Sequence, residues 1–420
     1  MNRLVQSVLT EEPIFGFEAD EVDFDAVLGP VSDYPIFDYS MKDVKRAGEV
    51  ISGALPWTDE TEPQIRRAFQ VANNWRDAHA YPMRSIRHHL IYYIGDLELN
   101  GITAARLKRM QAIRKKLRRP DFSMYLNQVQ DLGGCRAILS SMGEVRALVE
   151  ILRHRSRHEL RSEDDYIASP KPDGYRSHHL IMGFRGSGKT VIHNGRRIEI
   201  QIRTRLQHSW ATAVEAIGLF RGENLKGNQG SPEWLRFFKL MSAEFAEAEG
   251  CPVHPDMRSH SARVPEITKL DKALKASATL DDLSHAVRWT ERSVLPREKP
   301  THFMIRYDNL ARTVDIQPYF APINAVNSYD MAEDIYNKSG EYAENIVLVE
   351  VDKIENLREA YPNYFGDVQL LKSQLKRITR GKRVEEYVAL PQQVAPLPPR
   401  QLRGGKWQWP RPFPKPKGAG

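Results

Sequence analysis

The chain has 420 residues, 27% of them charged and 41% hydrophobic, and its 61 Lys and Arg against 54 Asp and Glu give a formal net charge of +7. That length accommodates two or three domains, and the positive balance favours polyanionic partners such as nucleotides or nucleic acid. Two cysteines, Cys135 and Cys251, exclude a disulfide framework and a paired Cys/His zinc site. No stretch nears the roughly 20 apolar residues of a membrane span, so the expectation is a protein of the reducing cytoplasm with no membrane partner.

Residues 1–40 form an acidic N-terminal leader: from 11 to 38 there are nine Asp and Glu and no Lys or Arg. It reads as a solubilising leader or as a cover for a basic cleft. From Met41 to Leu97 the pattern is helical, with Ile65, Phe69 and Ala72 at spacings of three and four and Pro82 as punctuation. After a turn at Asn100-Gly101, a basic helix is expected over Ala104–Leu117, closed by Pro120, with Leu107, Met110 and Ile113 as its buried stripe. Arg114, Lys115, Arg118 and Arg119 read as its solvated face.

A Gly133-Gly134 turn leads into a short strand at Cys135–Leu139, followed by a helix over 143–160, strands at 178–184 and 197–203, and a helix over 206–219. The last helix carries His208 and Glu215 on one face and packs through Ala211, Val214 and Ile217. This alternation predicts an α+β fold, a mixed β-sheet with packed helices.

The stretch from Asp165 to Arg203 carries the chemistry. In Arg197–Arg203 the isoleucines 198, 200 and 202 alternate with Arg197, Glu199, Gln201 and Arg203, so one strand face is apolar and the other holds a carboxylate, an amide and two guanidiniums. Such a face can hold a metal and a polyphosphate together. Lys171-Pro172-Asp173-Gly174-Tyr175 has turn composition and presents a lysine and a tyrosine beside the strand that begins at His178, and Asn194-Gly195 is expected to turn the chain into Arg197. Asp131, just before a strand, fits a turn cap, and it also fits a magnesium ligand paired with Glu199, because Mg²⁺ takes one or two carboxylates.

Residues Gly183–Thr190 satisfy the P-loop expression GxxxxGK[ST], but Thr190 is followed by Val191-Ile192-His193-Asn194-Gly195. Two β-branched residues and a turn leave no α-helix to cradle phosphate. A glycine-rich loop or irregular strand is the expectation.

Four segments together resemble the RelA/SpoT alarmone synthetases: RLKRMQAIRKK (Arg106–Lys116), QDLGGCRAIL (Gln130–Leu139), DYIASPKPDGYRSHH (Asp165–His179) and RIEIQIRT (Arg197–Thr204), followed by Gln207-His208-Ser209-Trp210. They occur in the family's order over roughly residues 100–220. The resemblance implies a nucleotidyltransferase-like synthetase fold and a pyrophosphokinase that moves the β,γ-diphosphate of ATP to the 3′-hydroxyl of GDP or GTP. It implies that Arg106, Lys108 and Lys116 grip the ATP phosphates with support from Arg136. Asp131 and Glu199 would hold Mg²⁺, and Glu199 would activate the hydroxyl. Tyr175 would stack on the acceptor base, with Lys171, His179, Gln201 and Arg203 lining that side. The chemistry asks for these residue types, since charge develops on phosphate oxygens and a positioned carboxylate can take the proton.

The chain departs from the pattern at Asp173, where many relatives have Asn, and at Arg176, where many have Gln. None of its 13 histidines is followed by Asp, so the His-Asp hydrolase motif of larger relatives is missing. The expected division is a synthetase domain over 41–250, a helical connector over 251–300, a small α+β domain over 301–385 with a ββαβα order ending in a helix from Ile354, and a Pro-rich basic tail over 386–420. Two other functions fit less well: a toxin-like relative that pyrophosphorylates the 3′ end of tRNA or another purine nucleotide, and a catalytically inactive nucleotide-binding regulator. A homo-oligomer is compatible with all three.

Overall fold

The computed structural model describes residues 31–53, 58–119, 123–221, 223, 225–254, 256–257, 259–286, 288–291, 300, 302–308, 313–339, 344–350 and 368–385. Most of the acidic leader, the expected helix from Ile354 and the Pro-rich tail lie outside the described residues.

Three helices open the described chain: α1 (Met41–Ser52), α2 (Glu62–Asp77) and α3 (Ala80–Asp96). Ser40 and Asp43 cap α1 reciprocally, the Asp43 amide donating to Ser40 Oγ at 3.2 Å and the Ser40 amide to Asp43 Oδ2 at 3.1 Å. Pro82 lies in the first turn of α3, where its missing N–H costs nothing, so it continues the helix and does not punctuate it. The described end of the leader docks here: Arg84 donates to the buried Tyr34 hydroxyl at 2.7 Å, and the Asn74 side chain clamps the Asp38 amide and the Ile36 carbonyl.

The basic helix expected over Ala104–Leu117 is two elements. Gly101–Leu107 is strand β1, and α4 spans only Met110–Leu117. Ala, Arg and Leu favour helix, but sheet pairing on both sides of β1 overrides that preference. Leu107, Met110 and Ile113 are all buried, as expected, although they come from two elements.

There follow β2 (Gly133–Leu139), α5 (Met142–Arg155), β3 (Glu159–Asp165), β4 (His178–Gly183), β5 (Arg197–Thr204), α6 (Arg205–Arg221), α7 (Pro232–Ala248), α8 (His260–Leu274) and α9 (Ala276–Ala286). The helix expected to run to 160 stops at Arg155, and strand β3 begins at Glu159. Within the expected helical connector over 251–300, α9 ends at Ala286 and the short strand β6 (Arg288–Glu291) follows. The remaining elements are β7 (His302–Asp308), β8 (Thr313–Tyr319), α10 (Pro322–Ser339), β9 (Glu344–Glu350) and α11 (Gln369–Ile378).

All nine described strands form one mixed sheet in the order β3-β4-β5-β2-β1-β9-β7-β8-β6. Strands β2 and β5 run parallel, as do β6 and β8, and the other pairs are antiparallel. The C-terminal strands and α10 occur in the expected order, and β9 joins them to the central sheet by pairing with the end of β1, Ala105 opposite Glu350 and Arg106 opposite Val349.

One face of the sheet is apolar. Ala105, Cys135, Ala137, Leu180, Ile198, Ile200 and Ile202 pack there against α3 and α5 in a core that continues into Met304 and Leu348. A second core joins α6 to α9 and α11 around Trp234, Phe237 and Phe238. Among the described residues no helix is long and apolar enough to cross a membrane.

Candidate functional site

The alternation that buries the isoleucines of β5 turns Glu199 and Gln201 to the opposite face, and strand register aligns partners with them. Glu199 lies beside Gly134 of β2, which lies beside Arg106 of β1; one rung along, Gln201 lies between Arg136 of β2 and His179 of β4. Residues in register share a face, so Arg106, Arg136, Glu199, Gln201 and His179 look the same way. Gly134 leaves open floor between Arg106 and Glu199: an added Cβ there meets nothing closer than 3.9 Å.

Asp131 ends the turn before β2. Lys108 donates to its Oδ2 at 2.6 Å and Lys116, from α4, to its Oδ1 at 2.9 Å. The Lys108 amide also bonds the Leu132 carbonyl at 2.8 Å, which fixes β1's exit against the Asp131 turn. Burial raises the Asp131 carboxyl, but the two ammonium groups outweigh it and hold the pKa at about 2. Burial pulls the Lys108 ammonium below its usual range despite attraction from Asp131 and Glu199. Lys108 therefore feels both acids, and Asp131 in turn disfavours the charge on Glu199.

Glu199 is held on both oxygens. His179 Nδ1 lies 3.1 Å from Oε1, and Gln201 Nε2 donates to Oε2 at 2.7 Å. Burial pushes the carboxyl up, yet His179 and Gln201 leave it below the ordinary range, so Glu199 stays ionised near neutrality. Burial pulls His179 down, but Tyr175 and Glu199 on either side raise it overall.

The turn at 171–175 forms as expected: the Gly174 amide bonds the Lys171 carbonyl at 2.8 Å, and Gly174 has φ +92°, a conformation that favours glycine. Tyr175 OH lies 2.9 Å from His179 Nε2 and accepts from Arg203 at 3.2 Å; Arg203 also donates to Gln201 Oε1 at 2.5 Å. Burial would raise the phenol, but Arg203 and His179 bring it down to about 8. Lys171 Nζ lies 4.1 Å from the Tyr166 ring centroid and 5.3 Å from that of Tyr175. A continuous polar chain thus runs from Arg203 through Tyr175 and His179 to Glu199.

Both departures in the turn have structural roles. Asp173 Oδ1 accepts from the Tyr175 amide at 2.9 Å, a bond that an Asn carbonyl oxygen could equally make. The buried Arg176 donates to Ile167 O at 3.0 Å, Pro252 O at 2.7 Å and Ser242 Oγ at 3.3 Å, and Ser242 donates to Gly174 O at 2.6 Å. Helix α7 thereby grips the Tyr175 turn.

Three further residues were undervalued in sequence. Tyr166 adds a second ring, its centroid 6.2 Å from that of Tyr175 and 5.1 Å from that of His179. The tyrosine beside Asp165 in the quoted segment was its only signal. Glu215, which the sequence only places on one face of the last helix, pairs with Lys226, and Lys226, Arg106 and Arg136 together outweigh burial and heighten its acidity. Ser242 carried no signal. His208 is buried in α6, and Arg197 is exposed at the start of β5.

The P-loop look-alike is not one. Gly188–His193 is a short 3₁₀ segment, Thr190 is buried with Oγ1 bonded to Ser187 O at 2.7 Å, and Lys189 is exposed. Asn194-Gly195 turns the chain into β5 as expected, with Arg196 N bonded to His193 O at 3.3 Å and Gly195 at φ +79°, and the longer connection closes through Phe184 N to Arg196 O at 2.8 Å and Gly195 N to Phe184 O at 3.0 Å.

As a metal site, the donor set is two ionised carboxylates that sense one another. That suits Mg²⁺, which takes one or two carboxylates and completes its shell with water and phosphate. Among the described residues no group of three or more His, Cys, Asp or Glu is arranged to hold a metal.

Residues 105–222 match the family model described as a region found in RelA / SpoT proteins, a span that includes every site residue above from Arg106 to Arg203. This part of the chain is similar to the region found in RelA / SpoT proteins. GTP pyrophosphokinase YjbM of Bacillus subtilis (strain 168) is 32% identical over 145 residues, 34% of this chain and 64% of that protein. The GTP pyrophosphokinase of Escherichia coli (strain K12) is 27% identical over 174 residues, 38% of this chain and 22% of that protein. The chain therefore spans less than two thirds of these relatives. Among solved structures, small alarmone synthetase 2 from Bacillus subtilis is 25% identical, with 43% of this chain and 91% of that one covered and a TM-score of 0.32.

Proposed function

We propose that the chain is an ATP-dependent pyrophosphokinase that transfers the β,γ-diphosphate of ATP to the 3′-hydroxyl of GDP or GTP. The observation that carries this reading is the placement of Asp131 and Glu199 at one end of the β2–β5 pair, with Lys108 bonded to one acid and attracted by the other. The curated relatives bear the name GTP pyrophosphokinase, which agrees with it.

In this reading Arg106, Lys108, Lys116 and Arg136 bind the triphosphate, with Lys108 and Lys116 moving from Asp131 to phosphate oxygens. Tyr175 and Tyr166 supply aromatic surface for the acceptor base, and Lys171 and Arg203 flank it. The acceptor oxygen attacks the β-phosphorus; the new O–P bond forms as the bond to the α,β-bridging oxygen breaks, and AMP leaves. Glu199 receives the hydroxyl proton and becomes neutral, with His179 and Gln201 orienting its carboxyl group. Asp131 and Glu199 would hold Mg²⁺, which when bound neutralises charge on the phosphate oxygens.

The test is to incubate the full chain with Mg²⁺, γ-³²P-ATP and, separately, GDP, GTP or deacylated tRNA. Label in GDP or GTP is the expected result. Label in tRNA alone would replace the acceptor, and label in none would reduce the protein to a nucleotide-binding regulator.

A further inference from the structure

The RelA/SpoT match ends at residue 222, yet the structure ties the C-terminal strands to the donor side of the site. Strand β9 meets β1 only at its end: Ala105 pairs with Glu350 and Arg106 with Val349. Without β9, β1 would be an edge strand where it presents Arg106 and hands the chain on to Lys108. Unpaired edge residues fray, and a frayed strand does not fix a guanidinium.

The junction is locked from below. Glu350 is 1% exposed, and its Oε1 lies 3.2 Å from both Arg84 Nε and Arg87 NH1, two residues of α3, while its Oε2 lies 3.7 Å from His302 Nε2 of β7. His302 is also Glu350's register partner, so the carboxylate sits on the rung that runs from Ala105 to β7. A second tie lies nearby: Arg76 of α2 pairs with Asp330 of α10, and its guanidinium lies 5.0 Å from the Tyr329 ring centroid. A buried carboxylate between two guanidiniums is expensive to displace, so the arrangement favours one seating of β9 on β1.

We propose that Glu350 is a positioning residue for the donor site: by anchoring β9 against α3 it holds the end of β1, and with it Arg106 and Lys108, in the geometry that binds the ATP triphosphate. The C-terminal strands are then a built-in brace of the catalytic sheet. This inference rests on the pyrophosphokinase reading above.

The experiment compares full-length wild type, Glu350→Gln, Glu350→Asp and Asp330→Asn, with KM for ATP, KM for the acceptor and kcat measured well below each variant's melting temperature. Amide exchange across residues 101–107 is followed in parallel. Glu350→Gln should raise KM for ATP about tenfold while the acceptor KM stays within about twofold, the split expected when only donor binding is disturbed. Exchange at 105–107 should quicken, Glu350→Asp should restore most of the affinity, and Asp330→Asn should show a smaller rise. If Glu350→Gln does not fold, Glu350→Asp and Asp330→Asn carry the same comparison. Unchanged KM for ATP and unchanged exchange in folded variants would overturn the inference, as would equal losses for ATP and acceptor. A wild-type protein with no ATP-dependent transfer would instead overturn the reading beneath it.

Discussion

Lys108 and Asp131 meet at 2.6 Å, and Lys116 holds the other oxygen of the same carboxylate at 2.9 Å. With two cations against one anion, the contact keeps an excess of positive charge where phosphate is expected. It also holds the Asp131 pKa at about 2, against an ordinary 3.8.

The first prediction follows from that difference. Between these values the unfolded chain binds more protons at this position than the folded one. The stabilisation is therefore complete above about pH 4 and lost as pH falls to about 2, a step of about 2 kcal/mol. Urea unfolding should show this acid-side loss in the wild type and a smaller one in Asp131→Asn.

Glu199→Gln should lower the rate of transfer by about 10²–10⁴-fold, the range for loss of a positioned general base. Gln keeps the size of the side chain but can neither take the proton nor offer an ionised oxygen. ATP retention on the protein, measured by equilibrium dialysis without acceptor, should persist. Full transfer activity in Glu199→Gln would remove Glu199 from the chemistry.

What the sequence made legible follows from which contacts local pattern controls. Glu199, Gln201 and Arg203 were readable because the isoleucines between them fix the β5 face, and Tyr175 because Pro172 and Gly174 force the turn. Arg106 was misassigned to a helix because Ala104-Ala105-Arg106-Leu107 favours helix locally, whereas its strand partners lie at 133–139 and 349–350. Strand β3, with sequence ELRSEDD, was missed because a charged sheet edge shows no apolar alternation. Arg176 and Ser242 meet only when α7 packs on the 171–175 turn, and Glu215 feels Arg106 and Arg136 only when α6 packs on the sheet, so no local spacing announces them.

Tyr175→Ala should raise the acceptor KM about 5- to 150-fold, since stacking a base on an aromatic ring contributes about 1–3 kcal/mol. KM for ATP should change little. Tyr175→Phe keeps the ring and should retain most acceptor affinity, but it removes the hydroxyl that Arg203 and His179 hold at a pKa of about 8. The difference between wild-type and Tyr175→Phe tyrosinate absorbance should therefore titrate near pH 8, well below an ordinary phenol. A difference that appears only at the ordinary tyrosine pKa would contradict the Arg203–Tyr175–His179 chain.

Arg176→Ala leaves the carbonyls of Ile167 and Pro252 without their guanidinium donor, and a buried unsatisfied acceptor costs about 1–3 kcal/mol. The melting temperature should fall and the acceptor KM should rise. Ser242→Ala, which removes the bond to Gly174 O and the acceptor for Arg176 Nε but leaves the Arg176 bonds to Ile167 O and Pro252 O, should show the acceptor effect with a smaller loss of stability. If both variants lost ATP affinity to the same degree, the grip of α7 would not be specific to the acceptor turn.

Lys189→Ala separates the two phosphate-binding arrangements that the sequence offers. In a true P-loop that lysine reaches the β- and γ-phosphates, and its loss would cripple ATP use. Here it is exposed on a 3₁₀ segment, Gly188 before it has φ +52°, and Thr190 after it turns inward to Ser187. The backbone amides therefore do not open an α-helix that could receive phosphate, and the cations that do converge, Lys108 just after β1 and Lys116 on α4, meet at Asp131. Lys189→Ala should leave both KM for ATP and kcat within about twofold of wild type, whereas Lys108→Ala should raise KM for ATP at least about tenfold, as removal of a charged contact to substrate requires. A reversed order of these two effects in steady-state kinetics would return the triphosphate to the glycine-rich loop and empty the Asp131–Glu199 face of its donor substrate.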